Sequence, residues 1–74
     1  MEKLTESQEK IYNVIKNYIK KYKYAPSYQD IADLSGLTSK GTIYKHIRIL
    51  EKKGYIIFGG KPRTIALKEE DYDK

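Results

Sequence analysis

Apolar residues recur at helical spacing along the first third of the chain. They follow a capping box formed by Thr5 and Gln8, the pattern that marks the start of a helix. The apolar positions are Ile11, Val14, Ile15, Tyr18, Ile19 and Tyr22. Pro26 cannot continue a helix and favours extended backbone at Ala25. The pattern therefore predicts a long first helix that ends near Lys23.

A second, shorter helical pattern follows the proline. Ser27 is placed to cap it, and Asp30, at the third helical position, is placed to return a hydrogen bond to the cap. Its apolar face is predicted to consist of Ile31, Ala32 and Leu34. Gly36 is expected to end this helix, because glycine adopts the positive φ of a tight turn without strain.

A third helix is predicted to begin at Thr38 or Ser39 and to be closed by Gly54. Its core stripe repeats at i, i+4 and i+7 and consists of Ile43, Ile47 and Leu50. The turn between the second and third helices is short and contains Gly36, and Ala32 is small where the two helices would cross. These features are typical of a helix-turn-helix.

Two short runs of β-forming residues complete the pattern, "YIIF" and "RTIALK", and Gly59, Gly60, Lys61 and Pro62 join them. A Gly-Gly pair between such runs predicts a hairpin. Strand alternation directs one set of side chains toward the helices and leaves Ile57 facing outward. The inward set consists of Ile56, Phe58, Ile65 and Leu67.

The order of elements predicts a mainly α fold of the α+β kind. It is a winged helix-turn-helix, in which a three-helix bundle carries a two-stranded β-hairpin wing. The 74 residues allow one domain, which we assign to residues 1–68. The segment 69–74, "EEDYDK", contains four acidic residues and no apolar periodicity, so it is predicted to be an acidic disordered tail.

The formal net charge of the whole chain is +5, and the positive charge is concentrated in one part of it. Residues 1–35 hold six basic and five acidic side chains, whereas residues 36–63 hold seven basic side chains and only Glu51 as an acid. A helical wheel with Ile43 in the core places a cationic face on the opposite side of the third helix. That face consists of Gly41, Lys45, Arg48 and Lys52, with Tyr44 beside it. Like charges at this spacing repel unless anions are close, and DNA phosphates are such anions.

Other functional classes find little support in the sequence. The chain has no cysteine and one histidine, His46, which is predicted to pack beside the core, so no metal site is expected. No Gly-rich phosphate loop or catalytic constellation is present, so we expect neither an enzyme, a cofactor nor a small-molecule ligand. No apolar run is long enough to cross a bilayer. We expect a cytoplasmic, nucleoid-associated protein.

Three stretches resemble the N-terminal winged-helix domain of LexA-type SOS repressors: "LT..Q..I", "APS..DIA...GLTS..TIYKHI..LE.KGYI" and "KPRTIAL". The resemblance covers about residues 4–68 and is closer to Gram-positive members of the family. It implies that two copies bind a palindromic operator and repress transcription. It also implies a C-terminal self-cleaving peptidase domain, for which this sequence has no counterpart. We therefore expect either a domain of a longer repressor or a small stand-alone regulator.

The resemblance also assigns candidate DNA-binding residues by position. The helix that enters the major groove would present Ser39, Lys40, Gly41, Thr42, Tyr44, Lys45 and Arg48. The resemblance places Lys61 and Arg63 at wing positions near the DNA backbone, and Ser27, Tyr28 and Lys52 are further candidates for backbone contacts. Small residues at Ser39 and Gly41 would allow the start of the helix to approach base edges closely.

Two questions stay open from the sequence alone. A winged helix can also serve as a protein-interaction adaptor, in which case its basic face would meet an acidic partner. A homodimer is expected on a palindromic site, and Ile49 and Ile57, both expected to be exposed, are candidates for a small contact between copies.

Overall fold

The computed structural model describes residues 3–61 and 63–68. In this part of the chain, three helices precede a two-stranded antiparallel sheet. The elements are α1 (Glu6–Tyr22), α2 (Tyr28–Ser35), α3 (Lys40–Lys52), β1 (Ile56–Phe58) and β2 (Ile65–Leu67). This order confirms the predicted winged helix-turn-helix. Pro62 and the tail 69–74, for which a turn and disorder were predicted, lie outside the described residues.

Local capping explains where α1 begins and ends. The Thr5 hydroxyl accepts a hydrogen bond from the Gln8 amide at 3.2 Å, and the Gln8 side-chain oxygen accepts one from the Thr5 amide at 3.0 Å. These bonds satisfy two amides that a helix start leaves without partners. The helix ends at Tyr22, and Lys23 caps it in the left-handed conformation with φ of 69°. Both predicted ends of α1 are confirmed.

The helix-turn-helix unit is also capped locally. Ser27 and Asp30 form the predicted capping box at the start of α2, and Gly36 ends that helix with φ of 83°. The hydroxyl of Ser39 accepts a hydrogen bond from the Thr42 amide at 3.3 Å, so Ser39 rather than Thr38 caps α3. Lys52 is the last residue of α3, and Gly54 turns the chain toward the wing with φ of 89°.

One core joins the three helices and the wing. Ile57 of the wing points outward with 55% of its surface exposed, while Ile56 and Phe58 on the same strand and Ile65 and Leu67 on the other point inward. The register pairs Ile56 with Leu67 and Phe58 with Ile65. The buried apolar side chains from the helices and strands are Ile11, Tyr12, Ile15, Ile31, Ala32, Ile43, Ile47, Leu50, Ile56, Phe58, Ile65 and Leu67. The predicted stripe of α3 and the predicted alternation of the wing are confirmed.

Two apolar positions differ from the predictions. Leu34 was expected in the core but is 58% exposed, because the buried arc of α2 is centred near Ile31 and Ala32 and also includes Ser35. At 100° per residue Leu34 falls about 100° from that centre. Ser35 is tolerated inside because its hydroxyl accepts a hydrogen bond from the Leu37 amide at 3.3 Å. Ile49, expected to be exposed, is half-buried.

Candidate nucleic-acid interface

The outward face of α3 is continuous and exposed. Opposite it, Ile43, Ile47 and Leu50 are each 0% exposed, so the core holds the orientation of the helix. The exposed residues along the outward face are Ser39, Lys40, Gly41, Thr42, Tyr44, Lys45, Arg48 and Lys52. All seven residues proposed to contact bases therefore lie on solvent-accessible surface of one helix and its cap.

Gly41 lies in the first turn of this face, and its surroundings in the structure do not require glycine. A Cβ atom added at Gly41 would meet only the Ser39 hydroxyl oxygen, at 3.7 Å, which is ordinary van der Waals contact. Glycine inside a helix is less stable than alanine there. The absence of a side chain at this position consequently suits the close approach of another molecule better than it suits the helix.

The cations of α3 are weakly neutralised by the protein. Arg48 pairs with Glu51 at 3.4 Å, but the two side chains are 54% and 34% exposed, and such a surface pair contributes little. Arg48 can therefore exchange Glu51 for a phosphate at small cost. Within residues 3–61 and 63–68, Lys40, Lys45 and Lys52 form no ion pair with an acidic side chain.

Tyr44 connects the outward face of α3 to its two neighbours. Its ring, 41% exposed, makes edge contacts with the ring of Tyr28 on α2 at 6.2 Å and with Phe58 on β1 at 5.9 Å between centroids. Aromatic pairs at these distances favour such tilted geometry. Tyr44 is thus held in place between α2 and the wing, and it links the base-reading candidates to the backbone candidates.

The start of α2 offers two hydroxyl groups. Burial raises the pKa of Tyr28, so its hydroxyl is protonated at neutral pH and can donate a hydrogen bond. The Ser27 hydroxyl accepts from the Asp30 amide at 3.1 Å and still has its own proton to donate. Both groups suit a phosphate oxygen lying at the N-terminus of α2.

Near the tip of the wing, hydrogen bonds to Thr64 hold the backbone of Gly59 and Lys61, and the Lys61 side chain is exposed. The Thr64 hydroxyl oxygen accepts from the amides of Gly59 at 3.2 Å and Lys61 at 3.3 Å, and it donates to the Lys61 carbonyl. A Cβ at Gly59 would lie 3.0 Å from the Cβ of Thr64, a tight contact to which Thr64 would have to adjust by a few tenths of an ångström. The side chain of Lys61, next to these hydrogen bonds, is exposed.

Arg63 has partners within the protein that the sequence did not indicate. Its guanidinium donates to the Ala25 carbonyl at 3.0 Å and to the Asp30 carboxylate at 3.1 Å. It also lies over the ring of Tyr24, 5.2 Å from the centroid. The two cations of the wing therefore differ, because Arg63 has partners within the protein. Sequence reasoning identified Asp30 only as a capping residue and did not single out Tyr24, since both are distant from Arg63 along the chain.

His46 and the acidic residues form no ligand set in the described ranges. His46 is half-buried on α3, and its Nδ1 atom is buried without a hydrogen-bond partner. Across residues 3–61 and 63–68 no three histidine, aspartate or glutamate side chains are grouped closely enough to hold a metal ion. In the same ranges no helix combines the length and the apolar character needed to span a bilayer.

The sequence is similar to known repressors over nearly its whole length. Residues 1–64 match the family described as "LexA DNA binding domain". The chain is 48% identical over 68 residues to the LexA repressor of Thermosipho melanesiensis, a match that covers 90% of this chain and 34% of that protein. It is 42% identical over 74 residues to the LexA repressor of Shouchella clausii, covering 99% of this chain and 36% of that protein. The chain spans about a third of the length of these curated relatives.

Proposed function

The chain belongs to the LexA DNA-binding domain family, and from this premise we propose that it binds double-stranded DNA sequence-specifically and represses transcription by occupying promoters. The observation that carries the proposal is the exposed cationic face of α3 beside a wing whose tip presents Lys61. In this role the domain acts as a regulator and not as an enzyme. Its place would be the cytoplasm, on the nucleoid.

The proposed complex places α3 in the major groove, which is wide enough to admit a helix. Ser39 and Gly41 lie at the start of α3, where the absence of long side chains lets the backbone approach base edges. Further along, Lys45 and Arg48 can donate hydrogen bonds to guanine O6 and N7. The remaining base-reading candidates are Lys40, Thr42 and Tyr44, which lie on the same exposed surface.

Backbone contacts in this complex come from both sides of α3. Ser27 and Tyr28 can donate hydrogen bonds to one strand of phosphates from the start of α2, and Lys52 can reach phosphate from the end of α3. Lys61 would meet the backbone or the minor groove from the tip of the wing. Contacts of this kind set register and supply most of the salt-dependent affinity.

Two copies on a palindromic operator are part of the proposal. A single module of this size buries only about 600–1,000 Å² on DNA, so paired half-sites would be needed for tight occupancy. Half-sites would be separated by about 34–36 Å or a multiple of that distance. Ile57 is exposed and available for a contact between copies, whereas Ile49 is half-buried and less suited to one.

The test is selection of bound sites from random double-stranded DNA, followed by salt titration of two variants. We expect symmetric half-sites at fixed spacing. Lys45→Ala should relax the preference for particular bases. Lys61→Ala should weaken binding to all DNA sequences evenly and lower the slope of log affinity against log salt concentration by about one unit. Equal, sequence-independent losses for Lys45→Ala would reject its role in base reading. Single half-sites would reject the paired arrangement.

A second candidate function, protein-interaction adaptor, is favoured by one surface. Tyr22 and Leu34 are 45% and 58% exposed and border a shallow depression between α1 and α2. It is lined by Val14, Asn17, Tyr18, Lys21, Tyr22 and Leu34, none of which is a DNA-binding candidate. An exposed apolar patch with an aromatic anchor is typical of a protein interface. Failure to bind any DNA at low salt would make the adaptor function the better proposal.

A further inference from the structure

The side chain of Arg63 leaves the wing and reaches the segment that precedes α2. One terminal nitrogen donates to the Ala25 carbonyl at 3.0 Å, and the other donates to Oδ2 of Asp30 at 3.1 Å. The backbone of Arg63 has a φ of 63°, a conformation uncommon for residues other than glycine. Such a conformation persists where surrounding contacts hold it, and these two hydrogen bonds are contacts of that kind.

The carboxylate that receives Arg63 is itself held in place. Oδ2 of Asp30 also accepts hydrogen bonds from the Ser27 amide at 3.0 Å and from the Tyr18 hydroxyl at 3.1 Å. The hydrogen bond from the Ser27 amide is the main reason that the pKa of Asp30 lies below its usual value. The carboxylate is therefore ionised at neutral pH and fixed to both α1 and the start of α2.

Arg63 is matched to this site by shape as well as by charge. Its planar guanidinium donates in two directions at once and lies 5.2 Å from the centroid of the Tyr24 ring. Lysine could not reproduce this arrangement, because its ammonium group is a compact point charge without a planar fork. The contacts thus fix the direction of the Arg63 side chain, in addition to neutralising its charge.

The wing is short, and its position depends on the core contacts of its strands together with the contacts of Arg63. Each strand has three residues, and a two-stranded hairpin of that size is marginal without support. Its inward side chains pack on the helices, but Arg63 lies between the tip and β2, outside the paired rungs. Its bonds to Ala25 and Asp30 connect this part of the wing to the start of α2, where Ser27 and Tyr28 lie.

We propose that Arg63 is a positioning residue, which fixes the wing relative to the start of α2 through contacts within the protein and does not contact DNA. The proposal rests on the DNA-binding function proposed above. The two cations of the wing then have different roles. Lys61 binds phosphate, whereas Arg63 holds the wing so that Lys61, Ser27 and Tyr28 can contact the DNA backbone together.

Salt dependence separates the two roles. Arg63→Ala and Lys61→Ala would each be titrated with a selected site between about 50 and 200 mM salt, the range over which phosphate contacts dominate the change in affinity. Lys61→Ala should lower the slope by about one unit, because one phosphate contact is lost. Arg63→Ala should lower affinity on the order of tenfold with the slope unchanged, because Lys61 still binds its phosphate in the complex and only the cost of ordering the wing on binding is added. A slope lowered by about one unit for Arg63→Ala would overturn the proposal.

Coupling to Asp30 provides the second measurement. Asp30→Asn keeps the size of the side chain but removes the charge that Arg63 meets. The double variant Arg63→Ala with Asp30→Asn should lose less affinity than the sum of the two single variants, because both changes remove the contact between Arg63 and Asp30. Additive losses would show that the two residues act separately and would overturn the proposal.

Amide hydrogen exchange of the free protein gives a result that does not depend on DNA. Residues 56–67 should exchange faster in Arg63→Ala than in wild type, while α1 and α3 stay protected. Arg63→Lys serves in its place if the alanine variant is unfolded in urea titration, and it should show the same change. Unchanged exchange would overturn the positioning role. If wild type bound no DNA, the proposed function would fail, and exchange would still decide whether Arg63 holds the wing.

Discussion

The Asp30 carboxylate accepts hydrogen bonds from three segments of the chain, namely from Tyr18 of α1, the Ser27 amide before α2 and Arg63 of the wing. Its pKa in the folded protein lies below the value of 3.8 expected without these contacts, chiefly because of the hydrogen bond from the Ser27 amide. A carboxyl group of lowered pKa contributes stability that is fully present above its unfolded-state pKa and is lost as pH falls through the folded-state pKa. The folded protein should therefore lose this contribution below about pH 4.

This prediction is checked by urea unfolding at a series of pH values. The difference in free energy of unfolding between wild type and Asp30→Asn should be constant above about pH 5 and should shrink as the pH falls below about 4. Asp33→Asn, at an exposed position on the same helix, is the matched control for the change from aspartate to asparagine. A difference that does not change with pH would mean that the carboxylate charge of Asp30 contributes nothing to stability.

The residues that could be predicted from the sequence are those whose partners are close along the chain. Thr5 and Gln8, like Ser27 and Asp30, are three residues apart, so the capping geometry follows from spacing alone. Arg63 is 33 residues from Asp30 and 38 from Ala25. No local pattern indicates a contact over that separation, and a cation at a hairpin tip was therefore interpreted as a DNA contact.

Helix α3 has one face buried in the core and an opposite face exposed to solvent. Gly41 is in a helical turn where an added Cβ would make only an ordinary van der Waals contact, so alanine there should raise the free energy of unfolding by about 0.5–1 kcal/mol. If the first turn of α3 lies against base edges, the same methyl group should lower DNA affinity. A variant that is more stable and binds less tightly is the expected result, measured by urea unfolding and by titration with a selected site.

Gly36 is the matched control at the end of α2. Its φ of 83° is strained for any residue with a Cβ atom, so Gly36→Ala should lower the free energy of unfolding by about 1–2 kcal/mol. Its effect on DNA binding should follow from that loss and disappear under conditions where the variant is fully folded. If Gly41→Ala bound DNA as well as wild type, Gly41 would not face the bases.

The elements themselves were predictable because each has a simple period. The core stripe of α3 and the alternation of β1 and β2 identify their buried faces from the sequence. Helix α2 was less predictable, since eight residues make little more than two turns and do not determine which side is buried. Leu34 was therefore assigned to the core, whereas packing against α1 and α3 selects the arc that includes Ser35.

At the scale of the whole molecule, stability comes from one small core without a disulfide. The chain has no cysteine, and its fully buried side chains are mainly isoleucines from all three helices and the wing. A protein of this length is expected to be stable by roughly 4–11 kcal/mol, using about 0.05–0.15 kcal/mol per residue. A single cavity in the core is therefore a large fraction of the total, and any loss of DNA binding must be separated from loss of folding.

Ile47→Ala makes that separation measurable. Ile47 is 0% exposed between the helices, so its truncation should lower the free energy of unfolding by about 2–5 kcal/mol. Urea unfolding followed by circular dichroism should show a lower midpoint, and excess operator DNA should raise that midpoint, because DNA binds only the folded form. Ile57→Ala removes a similar side chain that is 55% exposed and should change stability by no more than about 0.5 kcal/mol. An equal loss at Ile57 would mean that this residue is buried in solution, and the exposed face of the wing would then be a contact with a second copy.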